Sequence, residues 1–535
     1  MTAPGVAVTG ARRWVTLAVL CVTLLLISLD NTILNVALPS IVRGLHATST
    51  QLQWIVDAFA IFFAGLLLSF GALGDRVGRK WVFMGGLVVF GGGSALAAWS
   101  GTPERLIGAR AIMGVGAAAL MPSTLSILTN VFTADRERAR AIGIWSATAG
   151  LGVAIGPMLG GFLLVHFWWG SVFLINVPVV LIGLVATAFL VPNSKSPQAR
   201  RADPLGAILS IVGIGLLLWA IIEAPNRTWT SPLIVGPLAA SLVILTLFVV
   251  WERRSDHPML PLAFFANRRY SAAIASLALL LFALLGLFFL FTQYLQFSLG
   301  FSPLQTGFAI APVALVLLVA APVSVILARR FGTKSVVSGG LFLVAIGLGL
   351  LSRTTIHSTY VDAVPSLVLI GVGVGFGLAP SIESVMGSLP TADAGVGSAT
   401  SDTSMQLGGA LGVAVLGTAL NIRYQNFMTP LLAHQQIPLS IDKLVLGSLG
   451  GALAVAGHVP GNAGEALAGA ARRGFVSGMD LGLLVATVVV AVAGLVALAA
   501  LPSQAQQWRV GVSVPEGAER RGGEDQPSLD RSPAR

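Results

Sequence analysis

The sequence predicts an all-α polytopic membrane protein with fourteen transmembrane helices, and three observations carry that prediction. Hydrophobic residues make up 55% of the 535-residue chain and charged ones only 10%, at a mean hydropathy of +0.86, whereas soluble domains carry about 25% charged residues. Apolar runs of fifteen to twenty-one residues recur, as in Val15–Leu29, Ile274–Phe291 and Leu481–Leu501, near the length of α-helix that crosses about 30 Å of hydrocarbon. The basic residues fall in short gaps between those runs, where they read as topology signals.

Taken in order, the spans lie near 14–38, 52–73, 81–99, 104–129, 140–165, 169–191, 204–223, 233–251, 270–297, 304–328, 335–352, 363–388, 395–420 and 476–501. A cleaved signal peptide is the weaker reading of the first run, because no small-residue cleavage site follows it and Asp30, Asn31 and Asn35 lead on into Pro39. With Arg12 and Arg13 in the cytoplasm, the inside segments hold 23 of the 32 Lys and Arg residues, the outside ones 8, and Arg110 lies within a span. This bias predicts that both termini are cytoplasmic. Segment 421–475 reads as an extracytoplasmic loop, because its apolar stretch Leu444–Gly457 is only fourteen residues long and is expected to be interfacial or re-entrant. The tail 502–535 mixes charged residues with Pro, Ser and Gly and reads as a disordered cytoplasmic segment.

An internal repeat divides the chain. Gly71–Lys80 (GALGDRVGRK) and Val325–Lys334 (VILARRFGTK) match at an offset of 254, pairing Leu73 with Leu327, Arg76 with Arg330, Gly78 with Gly332 and Lys80 with Lys334. Two six-helix bundles plus two extra central helices follow: a short cytoplasmic N-terminus (1–13), an N-terminal bundle (14–191), the central pair (204–251) and a C-terminal bundle (270–501).

Composition also excludes functions. The net charge of +10 forms no basic stripe interleaved with aromatics, so nucleic acid is not a partner. The single Cys21 permits neither an intrachain disulfide nor a cysteine metal cluster. No Walker A pattern occurs, which argues against ATP drive, and Gly371–Gly377 lies inside an apolar span with no preceding strand, so it reads as helix packing. No cofactor, metal site or catalytic constellation is expected.

Chemistry is concentrated in charges placed within spans, where an ionisable residue costs several kcal/mol unless paired or solvated. By helical rise, Asp30, Asp57 and Arg110 fall in the outer half of the membrane and can share a cavity, while Glu383 and Asp402 fall in the inner half. Glu223 lies at an outer helix end, where water can solvate it. A carboxyl in an apolar cavity favours its neutral form and can ionise as a cation arrives, exchanging a proton for substrate charge. An arginine keeps its proton, so Arg110 is a fixed charge able to tune such a carboxylate or to brace spans 1, 2 and 4. Asn31 and Asn35 in span 1, with Gln293, Tyr294 and Gln296 in span 9, are the candidate polar contacts of a substrate cavity.

Gly71–Lys80 resembles the signature loop of the major facilitator superfamily, between its second and third helices. Leu29–Pro39 (LDNTILNVALP) looks like the first-helix motif of the fourteen-span drug:proton antiporters, Arg110 matches their fourth-helix arginine, and Gly150–Gly161 (GLGVAIGPMLGG) resembles their fifth-helix antiporter motif. The resemblance covers essentially the whole chain. It implies the major-facilitator fold and proton-gradient-driven efflux of small amphipathic or cationic molecules from the inner membrane of a bacterium, by a monomer. On that reading Asp30, Asp57, Arg110, Glu383 and Asp402 couple protons to cations. Conformational gating then falls to Gly71, Asp75, Arg76, Gly78, Arg79 and Lys80, together with Gly152, Gly156, Pro157 and Gly160. Export of a lipid or endogenous metabolite is the alternative on the same fold, and a non-transporting membrane sensor or enzyme is the alternative of another class.

Overall fold

A computed structural model describes residues 10–195, 203–255, 258–389, 394–433 and 438–501. Among these residues fourteen helices are long and apolar enough to cross a membrane. In order the helices are α1 (Gly10–Leu45), α2 (Ser49–Val77), α3 (Arg79–Ala98), α4 (Pro103–Val131), α5 (Asp135–His166), the short α6 (Ser171–Leu174) leading into α7 (Asn176–Leu190), α8 (Pro204–Arg227) and α9 (Pro232–Arg254). There follow α10 (Arg268–Gln293), which ends in a π-helical turn at Tyr294–Ser298, α11 (Pro303–Phe331), α12 (Thr333–Leu351), α13 (Tyr360–Met386), α14 (Ala394–Leu432), the short α15 (Leu439–Gly447) and α16 (Leu449–Ala456), and α17 (Asn462–Ala500). Fourteen crossings put both ends of the described chain on one face, called here the terminal face; the other is the far face.

Local signals place the helix ends. The capping box at Thr48 and Gln51 starts α2, and its counterpart at Ser302 and Gln305, 254 residues on, starts α11. Gly78 and Gly332, a repeat pair, both hold positive φ, at 131° and 83°, where a side chain would be strained. The two halves also pack alike. α4 lies against α2 and α3 as α13 lies against α11 and α12, and α1 pairs with α5 as α10 pairs with α14.

Between the halves, α2 meets α14 and α5 meets α11. Gln53 Nε2 donates to the carbonyls of Val413 and Ala414 at 3.2 and 2.9 Å, and Gln296 Nε2 donates to Val36 O at 2.9 Å. Pro157 O and Gly161 on α5 press on Gly307 and Leu304 of α11. All of these contacts lie toward the far face. Nearer the terminal face, Gly143 and Gly150 on α5 and Gly395 on α14 have open space where a side chain would stand. The named contacts that join the halves are thus seated toward the far face, with open space beside α5 and α14 nearer the terminal face.

The central pair is not a tether. α8 lies against both α2 and α14, with Ile211 on Gly65 and Leu218 and Ile222 packed against Ala60, Ile61, Ala410 and Ala414. Thr418 Oγ1 donates to Ile221 O at 2.9 Å, tying α14 to α8.

Two helix ends differ from the expectation. α14 runs to Leu432 and α17 starts at Asn462, so much of the expected loop 421–475 is helix standing beyond the hydrocarbon. At 39 residues each these helices reach roughly 58 Å, about twice the apolar thickness. The expected interfacial stretch is α16 with the end of α15, and it is seated on the far face: Gly450 packs on Val42 and Phe297, and Tyr424 Oη donates to Val445 O at 2.9 Å. The expected disordered tail 502–535 lies outside the described residues.

Candidate functional site

Arg110 is 1% exposed and Asp30 3%, and they form an ion pair of 2.5 Å between Nη1 and Oδ2. The surroundings hold the charges in place. Arg110 Nε donates to Ile55 O at 3.1 Å, and the guanidinium lies 4.4 Å from the centre of the Phe59 ring, a cation–π contact. Asn176 Nδ2 reaches Asp30 Oδ1 at 3.5 Å and Ser94 Oγ at 3.2 Å. One pair thus gathers α1, α2, α3, α4 and α7. Removing either partner would leave the other buried and uncompensated, at about 3–5 kcal/mol.

The pair adjoins an enclosed cavity of about 20 Å³, room for about one water molecule. Asn31, Asn35 and Arg110 line it from the N-terminal half and Gln406 from α14, with Val56, Leu285 and Val413 among its apolar walls. Asn31 and Asn35 direct their amide N–H groups back to Ile27 O and Asn31 O, and Asn35 Oδ1, buried, accepts no hydrogen bond. The cavity lies where the halves meet.

Asp57 is fully buried, and neither carboxyl oxygen has a hydrogen-bond partner. It follows Gln53 by one helical turn, on the face that α2 turns toward α14 and α8. Asp402 is half-buried on α14, one turn below Gln406 toward the terminal face, about 6 Å along the axis.

Not every expected residue belongs here. Glu383 is exposed beside Arg269, which donates to Ser384 Oγ at 3.0 Å; it stands at the terminal end of α13, away from the cavity. Gln293, Tyr294 and Gln296 are buried, and their polar groups are engaged elsewhere. Gln293 Nε2 bonds Phe289 O within its own helix at 2.8 Å, Tyr294 Oη reaches Thr355 O at 3.2 Å, and Gln296 ties α10 to α1 as described. They lie toward the far face, where α10 ends in its π-helical turn.

The loop Gly71–Lys80 is wired within its own half. Arg79 pairs with Asp75 at 2.8 Å and donates to Ser126 O on α4 at 3.0 Å, while Lys80 Nζ donates to Ala188 O at the end of α7 at 2.7 Å. Of the basic residues in this motif Arg79 is the one seen paired with Asp75, while Lys80 donates to a carbonyl oxygen and Arg76 is exposed. Gly71 faces Pro122, and Gly78 leaves room for Asn193. In the α5 motif, Gly152, Gly156 and Gly160 back onto Ser28, Thr32 and Ile33 of α1. Pro157 and Gly161 turn to α11.

Several polar residues escaped the sequence reading: Asn176, Ser94, Gln53 and Gln406 around the pair and the cavity, and Asp480 in mid-α17. Asp480 is half-buried with Oδ1 unpartnered, and a search for acids in apolar stretches would have found it.

Residues 20–413 match the family model described as Major Facilitator Superfamily. The chain is 36% identical over 501 residues to the multidrug efflux pump LfrA of Mycolicibacterium smegmatis, covering 93% of this chain and 98% of that protein. It is 32% identical over 472 residues to the methyl viologen resistance protein SmvA of Salmonella typhimurium (87% and 93% covered), and 33% identical over 494 residues to the tetracenomycin C resistance and export protein of Streptomyces glaucescens (91% of each). Among solved structures, a bacterial homologue of the human lysosomal transporter Spinster in an inward-facing, occupied conformation superposes with a TM-score of 0.64 at 17% identity, covering 92% of this chain and 97% of that one. A D-xylose–proton symporter gives 0.59 at 13%, covering 92% and 98%. These two support the fold alone. Fourteen apolar helices, two halves packed alike and a family model spanning most of the length agree: the chain belongs to the major facilitator superfamily, alongside transporters that export drugs.

Proposed function

We propose that this protein is a proton-coupled antiporter that exports amphipathic and cationic small molecules across the inner membrane of a bacterium, with both termini in the cytoplasm. The observation that carries the reading is the buried Asp30–Arg110 pair beside an enclosed cavity between the two halves. Relatives named for multidrug efflux and for methyl viologen resistance support the substrate class.

The charges divide the work. Arg110 compensates Asp30 and holds it at the cavity wall, so Asp30 meets the substrate cation without leaving a bare charge in hydrocarbon. Asp57 has no such partner; ionised there it would cost several kcal/mol, and a bound proton removes that cost. Exchange of the two loads follows: a cation entering from the terminal side competes for Asp30, the pair with Arg110 loosens, and Asp57 returns its proton when water reaches it. Asp402, one turn below Gln406, is the acid such a cation passes on its way in. The positive-inside bias supports a cytoplasmic terminal face, and the open space beside Gly143, Gly150 and Gly395 supports reading this conformation as the inward-facing state of the cycle.

The test is efflux of a lipophilic dication from proteoliposomes under an imposed pH gradient. Wild-type protein is expected to drive efflux that stops when an uncoupler collapses the gradient, and Asp30→Asn to lose at least about tenfold of that rate, the size of a contact worth roughly 1.4 kcal/mol in the transport barrier. Gradient-independent efflux, or full activity in Asp30→Asn, would contradict the proposal.

A further inference from the structure

At the far face, α3 and α4 part on the side away from the rest of the bundle and leave an open groove of about 570 Å³. Its floor is made of small residues, Gly92 and Ala95 on α3 and Gly108 on α4, and at Gly92 and Gly108 nothing stands within 4 Å of where a Cβ would be. Trp99, 68% exposed, and Ile112, 41% exposed, form its walls. Arg105, exposed in the first turn of α4, lines the groove at the end nearest the α3–α4 loop. Its neighbour Glu104 is exposed too, but that carboxylate accepts a 2.7 Å hydrogen bond from Gln51 Nε2. No carboxylate pairs with Arg105 among the described residues.

A groove open to hydrocarbon does not stay void, because its lining would forfeit dispersion contacts on one side. What fills it has an apolar body about 10 Å long, the rise from Trp99 down to Gly92. It also has an anionic end, since Arg105 lacks an internal counter-charge and sits at the first turn of a long helix, where the macrodipole adds positive potential. A second copy of the chain fits poorly, because a twofold contact over this groove would bring another Arg105 to the same rim.

We propose that the groove binds one anionic glycerophospholipid of the leaflet at the far face, with an acyl chain over Gly92 and Gly108 and the phosphodiester against Arg105. The loop it clasps joins α3 to α4, the helix that carries Arg110, so the lipid braces the outer end of the ion-pair helix.

The test uses the full chain in nanodiscs of phosphatidylcholine with rising fractions of brominated phosphatidylglycerol, and reads bromine quenching of Trp99 as the difference between wild type and Trp99→Phe. Quenching is expected to be half-complete at a fraction about fivefold lower for brominated phosphatidylglycerol than for brominated phosphatidylcholine, the preference one basic residue confers at an anionic surface. Arg105→Gln should erase that preference while leaving quenching by either lipid possible. Gly108→Leu, which fills open space, should lower quenching by both without loss of folded protein. Inorganic phosphate should not compete. Equal quenching by the two lipids in wild type, an unchanged preference in Arg105→Gln, or cross-linking of cysteines at position 105 between copies with Trp99 shielded from both lipids would each overturn the proposal.

Discussion

A single buried pair carries most of the chemistry at the residue scale. Arg110 makes three different contacts at once, to Asp30, to the Ile55 carbonyl and to the Phe59 ring, and a lysine has neither the fork nor the flat face to reproduce them. Arg110→Lys is therefore expected to lose transport while still reaching the membrane, checked by efflux per folded transporter. Arg110→Gln strands Asp30 and should lower stability by about 3–5 kcal/mol; the double variant Asp30→Asn with Arg110→Gln should recover most of that and no transport. Unfolding in detergent reads the first quantity, efflux the second. Asp30 and Arg110 were legible in the sequence because a charge in an apolar run is conspicuous. Asn176, Ser94 and Gln406 were not, since neutral polar side chains are common in membrane helices and only the fold shows which of them face a charge. Glu383 lies inside the apolar helix Tyr360–Met386, as hydropathy has it, but the fold adds that it is exposed near the terminal end beside Arg269.

At the scale of elements, close helix approach depends on a few glycines, and their effects should separate. A Cβ at Gly156 would overlap Thr32 of α1, whereas Gly150 faces open space. Gly156→Val is thus expected to destabilise by about 1–3 kcal/mol and to impair transport, while Gly150→Ala should change stability by less than about 0.5 kcal/mol; thermal unfolding of the purified variants decides. The central pair illustrates what composition conceals. The sequence marks α8 and α9 as two extra spans, yet that α8 lies along the α2–α14 seam, over the face bearing Asp57, comes from packing of Leu218 and Ile222. Helix ends were the least legible feature. Hydropathy falls where a helix leaves hydrocarbon, although the hydrogen-bonded backbone of α14 and α17 continues, and this is why 421–475 read as loop.

Over the whole molecule, the repeat reached further than the loop that first revealed it, since capping boxes at Thr48 and Ser302 and positive-φ glycines at 78 and 332 obey the same offset. The site breaks this symmetry: the position 254 after Asp30 is Leu284, so the ion pair belongs to one half and the other supplies Gln406 and Asp402. Contacts between the halves on the far side, with the proposed opening on the terminal side, set an expectation for motion. With Cys21, the one native cysteine, replaced by Ser, spin labels at His46 and His357 should give a short, narrow distance distribution across the far face, and labels at Gly143 and Ile326 a longer, broader one. Binding of an exported cation should lengthen the first as it shortens the second; changes of the same sign in both pairs would rule out the alternation. The central claim is that substrate charge and a proton exchange at this site, and substrate-evoked proton release from purified protein, followed with a pH indicator in weak buffer, tests it most directly. Wild type is predicted to release protons on adding a lipophilic dication, Asp57→Asn to release markedly fewer, and Asp30→Asn to bind the cation too weakly to evoke release at the same concentration; undiminished release from both variants would contradict it.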